Sequence, residues 1–561
     1  MIKKIGLSAK IQDSKNLKIN GFSDWQWIFL NNHFISDKKK QVYVFEDSDR
    51  AEEFYSKFKK ENNALFFPDL ESQIFEGAYS SERDLFERFL CISKVIENKD
   101  HAVFTTYKAL AMYIPTLESL KELTLNINVD DIISPFELSK KLISLGFEKN
   151  PTVEEPGTFS QKGEIFDIYP IDNEPFRIHY FDDLIEEIHE IDKNSLRTLK
   201  DKKLESYTIL PSPKAFLNSN TVKNFLDKIP RIGPSQKNKQ STKENIIESI
   251  NSNNLFQNFP LYFSLFLEES TSFYNFLNSF NYEFNIFNKE LIKDSFELEF
   301  THLLEVHEDN IENDNDEIIP DPNYIYKRDL VVEDYLSVND IDLHNDTDIT
   351  QSISLKPIPF KSHILSLSKI DHKNKKELFD YVGKYLQKKS IESNTILFVY
   401  QNKENVEKFK HYYENQQFLN KIIFLESSLE HGFIYESEKL IIVHESDLYT
   451  AKIKKTKSAN FSEDVFADQL ASLEEGDYVI HKSLGIGQYK GVETIEIGNQ
   501  KGDFVVLHYE GEDKAYVPVY KLNLIQKHSS SEAHVKVANL NSKKFDLEKN
   551  KAKKSVKKLA F

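Results

Sequence analysis

The sequence predicts a multi-domain protein of mixed α/β and α+β class with a small Tudor-like β-barrel near its C-terminal end. Its 561 residues exceed what one hydrophobic core usually supports, so several domains are expected. Short apolar runs alternate with helical patterns in the first part of the chain, which is typical of a parallel sheet with helical crossovers. Beyond residue 473, short β-type runs separated by turns favour a bent barrel.

Composition and charge narrow the classes of function. Hydrophobic residues make up 40% and charged residues 29% of the chain, which is typical of a globular protein. The formal net charge of −18 argues against a chain-wide nucleic-acid-binding surface, because phosphate neutralisation needs clustered Lys and Arg. Cys91 is the single cysteine, which excludes an internal disulfide framework and a multi-cysteine zinc site.

Neither an export signal nor a membrane-spanning stretch is predicted. Basic residues follow Met1, but an apolar core and a small-residue cleavage site do not. The longest apolar runs, such as Ile396–Tyr400, have the length of a strand and not of a span. We therefore expect a cytoplasmic monomer with no membrane partner.

Residues 1–115 are predicted to form an α/β domain. The apolar runs have the length and residue types of buried strands, and the runs between them have helical periodicity. Asp47 or Ser48 precedes the first helical run and is of a type that caps helices. The predicted strands are Gln41–Phe45, Ala64–Phe67 and Ala102–Thr106, and the predicted helices are Ala51–Phe58 and Leu85–Ile96.

The pattern changes at residue 116, and residues 116–210 are predicted to be an inserted α+β domain. Strand-type residues fill Phe159–Tyr169 and Phe176–Ile191. Gly163 and the turn at residues 172–175 interrupt them, which indicates hairpins.

Two polar stretches interrupt residues 211–335, which we assign to a second part of the first α/β module. Residues 232–243 are rich in Lys, Gln, Ser and Asn and predict a loop. Residues 307–317 are mostly acidic or Asn and predict a linker or a solvated loop.

The C-terminal part is predicted to contain two more domains. Residues 336–450 have the pattern of another α/β domain, with a helix at Lys375–Gln387, and residues 473–530 form the barrel. Residues 451–472 are interpreted as a linker. Residues 531–561 are Lys-rich with helical periodicity and have no terminal cap, so we predict the start of a helix that connects to more chain.

The strongest local pattern lies in the predicted barrel. Leu473–His481, Gly485–Tyr489 and Asp513–Val519 contain strand residues with turn glycines between them. Their order and spacing resemble the RNA-polymerase-interacting module shared by bacterial transcription-repair coupling factors and CarD-type regulators. The resemblance implies a barrel that binds the β subunit of RNA polymerase.

In that family the module binds by adding a strand to a strand of the polymerase. The matching edge in this chain is predicted to be Phe504, Val505, Val506 and Leu507. Alternate side chains point to opposite faces, so one set is expected to fill the barrel while the other faces the polymerase. Val505 and Leu507 are the preferred contact residues.

A second pattern lies in the predicted inserted domain. Gly163–Pro170 and Pro175–Asp183 resemble the module that coupling factors share with UvrB, which binds UvrA in both. The resemblance implies UvrA-contacting roles for Lys162, Arg177 and Phe181. Relatives often have arginine where Lys162 stands, and lysine lacks the planar fork of a bidentate contact. The alternative places Arg177 in a surface ladder and Phe181 in the core.

Weaker similarities to the same family occur elsewhere. Leu429–Phe433 and Leu440–Leu448 resemble the segment before the polymerase module. Phe67–Asp69 and Arg83–Arg88 resemble the first domain. The similarity to the N-terminal half of transcription-repair coupling factors therefore extends, in patches, over essentially the whole chain.

The sequence contains no phosphate-binding loop. In UvrB the first strand leads into such a loop, and the corresponding stretch here includes Gly21, Ser23, Asp24 and Trp25. It has no lysine for the phosphates, and its indoles leave no room for backbone amides to surround a triphosphate. We therefore predict no nucleotide and no ATP hydrolysis in this stretch. The resemblance implies an ATP- and Mg²⁺-dependent DNA-translocating motor in further residues.

Other catalytic or metal-binding patterns are weak. His431, His444 and Glu445 suggest a metal site, but histidines on separate strands usually have structural roles. The acidic residues 46–49 lie at a predicted helix cap, where solvated carboxylates are common. We predict no catalytic residue and no metal site.

These expectations combine into a docking protein of transcription-coupled nucleotide excision repair. It is expected to bind RNA polymerase stalled at DNA lesions and to recruit UvrA. Double-stranded DNA is expected to bind mainly to other domains, and the absent motor to release the polymerase with ATP. A stand-alone CarD-type transcription regulator and an enzyme that hydrolyses ATP itself are the alternatives.

Overall fold

The computed structural model describes residues 18–527 except 21–22, 36–39, 60–63, 71–81, 154, 172–173, 194, 218, 253–254, 257, 315–316, 330–337, 343–351, 355–356, 369–374, 428, 450–475, 482–484, 498–499, 510–513 and 519–524. The chain divides into two compact units, Met1–Ala451 and Lys452–Phe561. The predicted linker at residues 451–472 and the predicted helix at residues 531–561 lie outside the described residues.

The first unit begins with alternating strands and helices. In chain order they are β1 (Lys18–Asn20), α1 (Asp24–Leu30), β2 (Gln41–Phe45), α2 (Ser48–Phe58), β3 (Ala64–Phe67), α3 (Glu82–Ile96), β4 (Ala102–Thr106), α4 (Tyr107–Ala111), β5 (Tyr113–Pro115), α5 (Leu117–Glu122) and β6 (Leu125–Asn128). The inserted part follows with α6 (Pro135–Ser144), β7 (Glu148–Lys149), β8 (Thr158–Lys162), β9 (Ile165–Tyr169), β10 (Phe176–Phe181), β11 (Leu184–Ile191), β12 (Thr198–Leu204) and β13 (Ser206–Ile209).

The rest of the first unit returns to alternating elements. They are α7 (Ser219–Lys228), α8 (Lys237–Asn251), α9 (Phe259–Tyr262), β14 (Ser270–Ser272), α10 (Phe273–Ser279), β15 (Glu283–Phe287), α11 (Lys289–Glu312), β16 (Val338–Asp342) and β17 (Ser352–Ser354). The last group is β18 (Ile358–Pro359), α12 (Phe360–Ser368), α13 (Lys375–Ile391), β19 (Thr395–Tyr400), α14 (Lys403–Tyr412), β20 (Ile422–Glu426), β21 (Phe433–Tyr435), β22 (Leu440–His444) and α15 (Glu445–Leu448).

A seven-stranded sheet organises the first α/β domain, in the order β17-β1-β16-β15-β2-β4-β3. Every pair in it is parallel. The predicted strands are β2, β3 and β4 with the predicted bounds, and they are buried along their whole length, as expected of strands covered on both faces. Asp47 caps α2 by accepting a hydrogen bond from the Arg50 N–H at 2.7 Å. Because β15 to β17 follow the insertion, residues on both sides of it share one sheet.

The inserted domain is a six-stranded sheet covered by a helix on one face. The strand order is β12-β11-β10-β9-β8-β7, and all pairs except β7 with β8 are antiparallel. Leu138 and Leu142 of α6 pack with Phe166, Ile178 and other inward residues of the strands. The opposite face of the sheet carries the polar alternate residues, which is the usual pattern of an antiparallel sheet with one solvated face.

A five-stranded mixed sheet, in the order β18-β21-β22-β19-β20, organises residues 357–449. Its core joins that of the first α/β domain, because Leu397, Phe433 and Ile442 belong to the same buried cluster as Trp25 and Phe54. The two α/β domains of the first unit therefore share a continuous hydrophobic interface, which resists relative motion.

Both polar stretches predicted to be irregular are partly helical. Residues 237–243 belong to α8, and residues 307–312 belong to the end of α11. The end of α11 is fixed by hydrogen bonds, since His307 Nδ1 lies 2.8 Å from the Ile319 carbonyl oxygen and Ile319 N–H donates to Asn310 Oδ1 at 3.1 Å. The predictions of a loop at residues 232–243 and of a linker at residues 307–317 are wrong for these parts.

The second unit contains β23 (Tyr478–His481), β24 (Gly485–Ile497), β25 (Gln500–His508), β26 (Lys514–Pro518) and β27 (Ile525–Lys527). They form an antiparallel sheet in the order β26-β25-β24-β23-β27. A register shift between Tyr489 and Val492 bends β24. Within the described residues β26 and β27 each pair with one neighbour, so the small sheet agrees with the prediction while closure into a barrel is not observed there.

No helix among the described residues has both the length and the apolar character needed to cross a membrane.

Candidate functional site

The three residues predicted to contact UvrA share the solvated face of the inserted sheet. Lys162 pairs with Ile165, and Ile165 pairs with His179 on the next strand. Directly paired residues project to the same face, and Arg177 and Phe181 lie two residues to either side of His179. The residues between them on β10, including Tyr180, are buried in the core. The sheet register therefore gathers the predicted residues onto one surface.

Lys162 ends β8 beside a tight hairpin. Gly163 adopts φ +62°, and no heavy atom lies within 4 Å of the position that a Cβ would occupy. The hairpin projects into solvent, and Lys162 is exposed at its base. At this position the Lys162 ammonium can interact with an acidic group of a partner as a point charge.

Arg177 is held by an intramolecular ion pair. Its Nε donates to Asp167 Oδ1 at 2.6 Å and its Nη2 donates to Asp167 Oδ2 at 2.8 Å, while Nη1 lies 3.2 Å from Thr198 Oγ1. The hydrogen bonds that Arg177 donates to Asp167 raise the pKa of Arg177. The contacts of Arg177 are thus those of the alternative in which it lies in a ladder of side chains on the sheet surface. A role of Arg177 in binding UvrA stays a prediction.

Phe181 is an exposed aromatic residue at the tip of the next hairpin. It pairs with Leu184, and 65% of its surface is accessible to solvent. The core position considered as its alternative is therefore wrong. Large exposed aromatic side chains on a folded domain are typical of interface anchors.

The strand predicted to dock the polymerase lies inside its sheet. Phe504 to His508 pair with β26 on one side, and most of them pair with β24 on the other. Val505, Val506 and Leu507 are each at most 1% exposed. The prediction that Phe504–Leu507 is an edge is wrong, because β26 supplies the additional neighbour. The expectation that one alternating set of side chains faces outward is not met by Val505, Val506 or Leu507, the side chains that the structure describes in this stretch. Any role of these residues in binding polymerase stays a prediction.

The stretch that corresponds to a phosphate loop is filled by its own side chains. Gly21 lies outside the described residues, and Ser23 caps α1 in a capping box with Gln26, with contacts of 3.1 and 3.4 Å. Trp25 stacks on Phe54 with ring centroids 4.0 Å apart. Two of the N–H groups that could bind a phosphate at this helix terminus already have side-chain partners, since the Gln26 N–H donates to Ser23 Oγ and the Trp25 N–H donates to Asp24 Oδ1.

Charged contacts reinforce this closed arrangement. The Asp24 carboxylate lies in the first turn of α1 and pairs with Arg50 at 2.6 Å. Lys57 Nζ lies 4.2 Å from the centre of the Trp25 ring and pairs with Glu430 of the neighbouring α/β domain at 2.8 Å. An acidic group and two indole rings are thus present where a phosphate loop would place backbone amides and a lysine.

His431, His444 and Glu445 take part in local hydrogen bonds that position α15. His444 Nδ1 accepts from the Ser446 N–H at 3.2 Å, and burial lowers the pKa of His444 to about 3. Glu445 accepts backbone N–H groups of Gln401 and Asn402. Among the described residues no group of three or more His, Cys, Asp or Glu side chains is arranged to hold a metal ion.

Asp447 anchors the same corner from a buried position. Its Oδ2 accepts the N–H groups of Gly432 at 3.0 Å and of His444 at 2.9 Å. Burial raises the pKa of Asp447 to about 6, although the two hydrogen bonds oppose the shift. The contacts of this motif are structural.

Sequence reasoning did not single out two exposed apolar residues near the hairpin tips, Ile132 and Phe136. They are 82% and 66% exposed. The sequence did contain a signal for them in the run Ile132-Ile133-Ser134-Pro135-Phe136. The hydrophobic contact at a helix N-terminus needs one apolar residue before the cap, and this run has further apolar residues on both sides of Ser134.

Two family models match parts of the chain. The UvrB interaction domain matches residues 125–214, and the CarD-like/TRCF RID domain matches residues 473–529. The first match contains Lys162, Arg177 and Phe181, and the second contains β23 to β27.

Curated proteins named transcription-repair-coupling factor align with most of the chain. The one from Bacillus subtilis (strain 168) is 24% identical over 540 residues, covering 89% of this chain and 44% of the relative. The one from Staphylococcus aureus (strain bovine RF122 / ET3-1) is 23% identical over 565 residues, covering 96% and 46%. The one from Rickettsia bellii (strain RML369-C) is 23% identical over 547 residues, covering 95% and 47%.

The chain is similar to transcription-repair-coupling factors.

The similarity to coupling factors includes both family-model matches, as predicted from the sequence motifs. The chain spans about half the length of the curated relatives it matches. The alignment with coupling factors includes most of the chain before the C-terminal sheet. This disfavours the alternative of a stand-alone CarD-type regulator, in which the N-terminal part would be unrelated to coupling factors.

Proposed function

We propose that this chain is a docking component of transcription-coupled nucleotide excision repair, with one surface for UvrA and another for RNA polymerase. The proposal is supported by the occurrence of a UvrB interaction domain match and a CarD-like/TRCF RID match in one chain. Their combination in a relative of coupling factors favours a link between transcription and repair over either function alone.

The solvated face of the inserted sheet supports the UvrA part of the proposal. It presents the cation Lys162 and the exposed aromatic ring of Phe181 on neighbouring hairpins, and aromatic residues are enriched at protein interfaces. Arg177 and Asp167 form a rigid polar base between the strands.

Substitution of Phe181 by serine is expected to weaken UvrA binding about tenfold or more, because a central aromatic anchor typically contributes at least ~1.4 kcal/mol. Lys162→Glu is expected to weaken UvrA binding as well, because it reverses the charge that this surface presents to its partner. The measurement is the affinity of the purified full chain for purified UvrA. Tyr324→Ser, at an aromatic residue 41% exposed elsewhere in the unit, is the control and should bind as wild type does.

Arg177→Ala is a poor first test, since it leaves the Asp167 carboxylate without its cation and mixes folding with binding. Unchanged affinity of both Phe181→Ser and Lys162→Glu would remove the UvrA part of the proposal.

For the polymerase part, we propose that the β subunit adds a strand to the outer edge of β26. Among the described strands, Lys514–Pro518 is the end strand of the five-stranded sheet, and the buried residues Val505, Val506 and Leu507 lie on the strand behind it. Backbone groups on an unpaired edge are the usual means of strand addition, and Pro518 and Lys514 are residue types that blunt such edges in the absence of a partner.

Hydrogen–deuterium exchange tests this placement directly. Addition of the β subunit is expected to slow exchange of the backbone amides in residues 514–517 by about tenfold or more, because the added strand protects them. The amides of residues 504–507 are expected to change little, since they already lie between two paired strands. The reverse pattern would contradict docking at β26.

DNA contacts and ATP-dependent release of the polymerase stay predictions from the family resemblance, and a monomeric state and a cytoplasmic location stay predictions from the sequence. The filled phosphate-loop region supports the proposal that this stretch docks partners without hydrolysing ATP.

A further inference from the structure

An unusual concentration of exposed apolar side chains lies at one end of the inserted domain. The exposed fractions are 82% for Ile132, 66% for Phe136, 65% for Phe181 and 36% for Ile165. Single exposed apolar residues are ordinary, but a contiguous group of them on a folded domain indicates a surface that a partner covers.

The strand register places Ile132, Phe181 and Ile165 next to one another, and Phe136 follows four residues after Ile132, in the first turn of α6. Ile132 forms a β-bridge with Leu184, and Leu184 pairs with Phe181 across the hairpin. The Ile133 N–H donates to the Asp183 carbonyl at 2.9 Å, which fixes the segment before α6 along the edge of β11. On the other side of Phe181, the Tyr180 N–H donates to the Glu164 carbonyl at 2.9 Å, so Ile165 is brought beside the same tip.

Neither Ile132 nor Phe136 is needed to begin α6. Ser134 is the N-cap and accepts from the Glu137 N–H at 3.2 Å. The hydrophobic contact that commonly accompanies such a cap joins the residue before it to the fourth helical residue, which here are Ile133 and Leu138. Ile133 packs against the core and Leu138 is fully buried in it. The fold thus accounts for Ile133 and Leu138 but leaves Ile132 and Phe136 in solvent.

The side chains around Phe136 are also of the types found around interface anchors. Lys140, one turn further along α6, places its ammonium 4.5 Å from the centre of the Phe136 ring. Lys162 stands at the opposite border of the group. Aromatic and aliphatic side chains bordered by flexible cations match the composition of protein interfaces with an apolar centre and a polar rim.

We propose that Ile132 and Phe136 extend the surface of Phe181 and Lys162 into one apolar docking site, named here the tip surface, and that UvrA covers it. The inference rests on the proposed UvrA-binding function. UvrA is the occupant that the position favours, because Ile132 is continuous with Phe181 through Leu184 and all residues of the tip surface lie within the UvrB interaction domain match at residues 125–214.

Binding of purified UvrA to the full chain carrying Ile132→Ser or Phe136→Ser tests the inference. Each variant is expected to bind about tenfold more weakly than wild type, since each removes an apolar side chain that UvrA would cover. The matched controls are Ile391→Ser, at a residue 73% exposed in α13, and Leu367→Ser, at a residue 51% exposed in α12. Both lie in the other α/β domain and are expected to bind as wild type does.

The outcomes separate the inference from the proposed function. If Phe181→Ser weakens UvrA binding while Ile132→Ser and Phe136→Ser do not, the tip surface is overturned and the UvrA function stands. If neither Phe181→Ser nor Lys162→Glu has an effect, the proposed function itself fails. A wild-type dimer in sedimentation that Ile132→Ser converts to a monomer would show that a second copy covers the surface, which also overturns the inference. Melting temperatures measured in parallel exclude loss of folding as the cause.

Discussion

Replacement of Gly432 by alanine is expected to destabilise the first unit by about 3 kcal/mol, because a methyl group has no room at this position. It would overlap Asp447 Oδ2 and the Ile442 carbonyl oxygen, and it would stand 2.8 Å from the His444 nitrogen. Two of these neighbours are backbone atoms of the central part of a sheet, which do not move aside easily. The displaced Asp447 would also lose its hydrogen bonds from the Gly432 and His444 N–H groups.

Urea denaturation of the full chain, followed by circular dichroism, measures this loss through the midpoint of the first-unit transition. The control is Gly163→Ala, where the backbone is left-handed but the space around the added methyl is open. That substitution is expected to cost only about 1 kcal/mol, from backbone conformation alone. Equal losses in the two variants would contradict the close approach at Gly432.

The strands that could be predicted from the sequence are those specified by local residue pattern. Gln41–Phe45, Ala64–Phe67 and Ala102–Thr106 are continuous apolar runs bounded by turn or cap residues, and the structure has them with these bounds. Their neighbours were not predictable in the same way. The strand Glu283–Phe287 enters the sheet beside Gln41–Phe45 after a long insertion, and no local signal states which distant strand pairs with which.

Tertiary contacts also explain the helix that sequence reasoning missed. Residues 237–243 are polar, and their composition predicts a loop. In the structure they lie against the end of α11, where Gln236 Nε2 donates to the Ile311 carbonyl at 2.9 Å and Lys239 donates to the Asn310 carbonyl oxygen. These partners stabilise helical backbone that the sequence of the segment alone does not favour.

The two proposed docking surfaces show the same division between local and distant information. Arg177 and Phe181 lie on one face of β10 through simple strand alternation, although the sequence left a core position open for Phe181. The exposure of Phe181 depends on its hairpin tip, and the interior position of Phe504–Leu507 depends on where β26 returns. A strand identified from its own residues cannot be assigned to an edge or to the middle of a sheet, because that depends on which other strands pair with it.

Replacement of Trp27 by alanine is expected to destabilise the first unit by about 4 kcal/mol, through the cavity that loss of a fully buried indole creates. Trp27 is 0% exposed and belongs to the core shared by the two α/β domains, so the loss should unfold both together. Its Nε1 donates to Asn285 Oδ1 at 3.1 Å, which ties α1 to β15. Trp27→Phe is the matched control: it keeps an aromatic ring but removes this hydrogen bond, at an expected cost of about 1 kcal/mol.

Wild type and Trp27→Ala together test whether the phosphate-loop region is closed. Trp25 and Trp27 are the only tryptophans in the chain, so its intrinsic tryptophan fluorescence reports on α1 alone. Titration of ATP with Mg²⁺ is expected to leave the fluorescence and the urea midpoint of wild type unchanged, since a bound ligand would raise that midpoint by mass action. Trp27→Ala is expected to be unresponsive as well, because Ser23 would still cap α1 and Asp24 would still pair with Arg50. A nucleotide-dependent rise in the stability of wild type or of Trp27→Ala would show that this region still binds nucleotide. It would overturn the interpretation that the two indole rings occupy the place of a phosphate-binding loop.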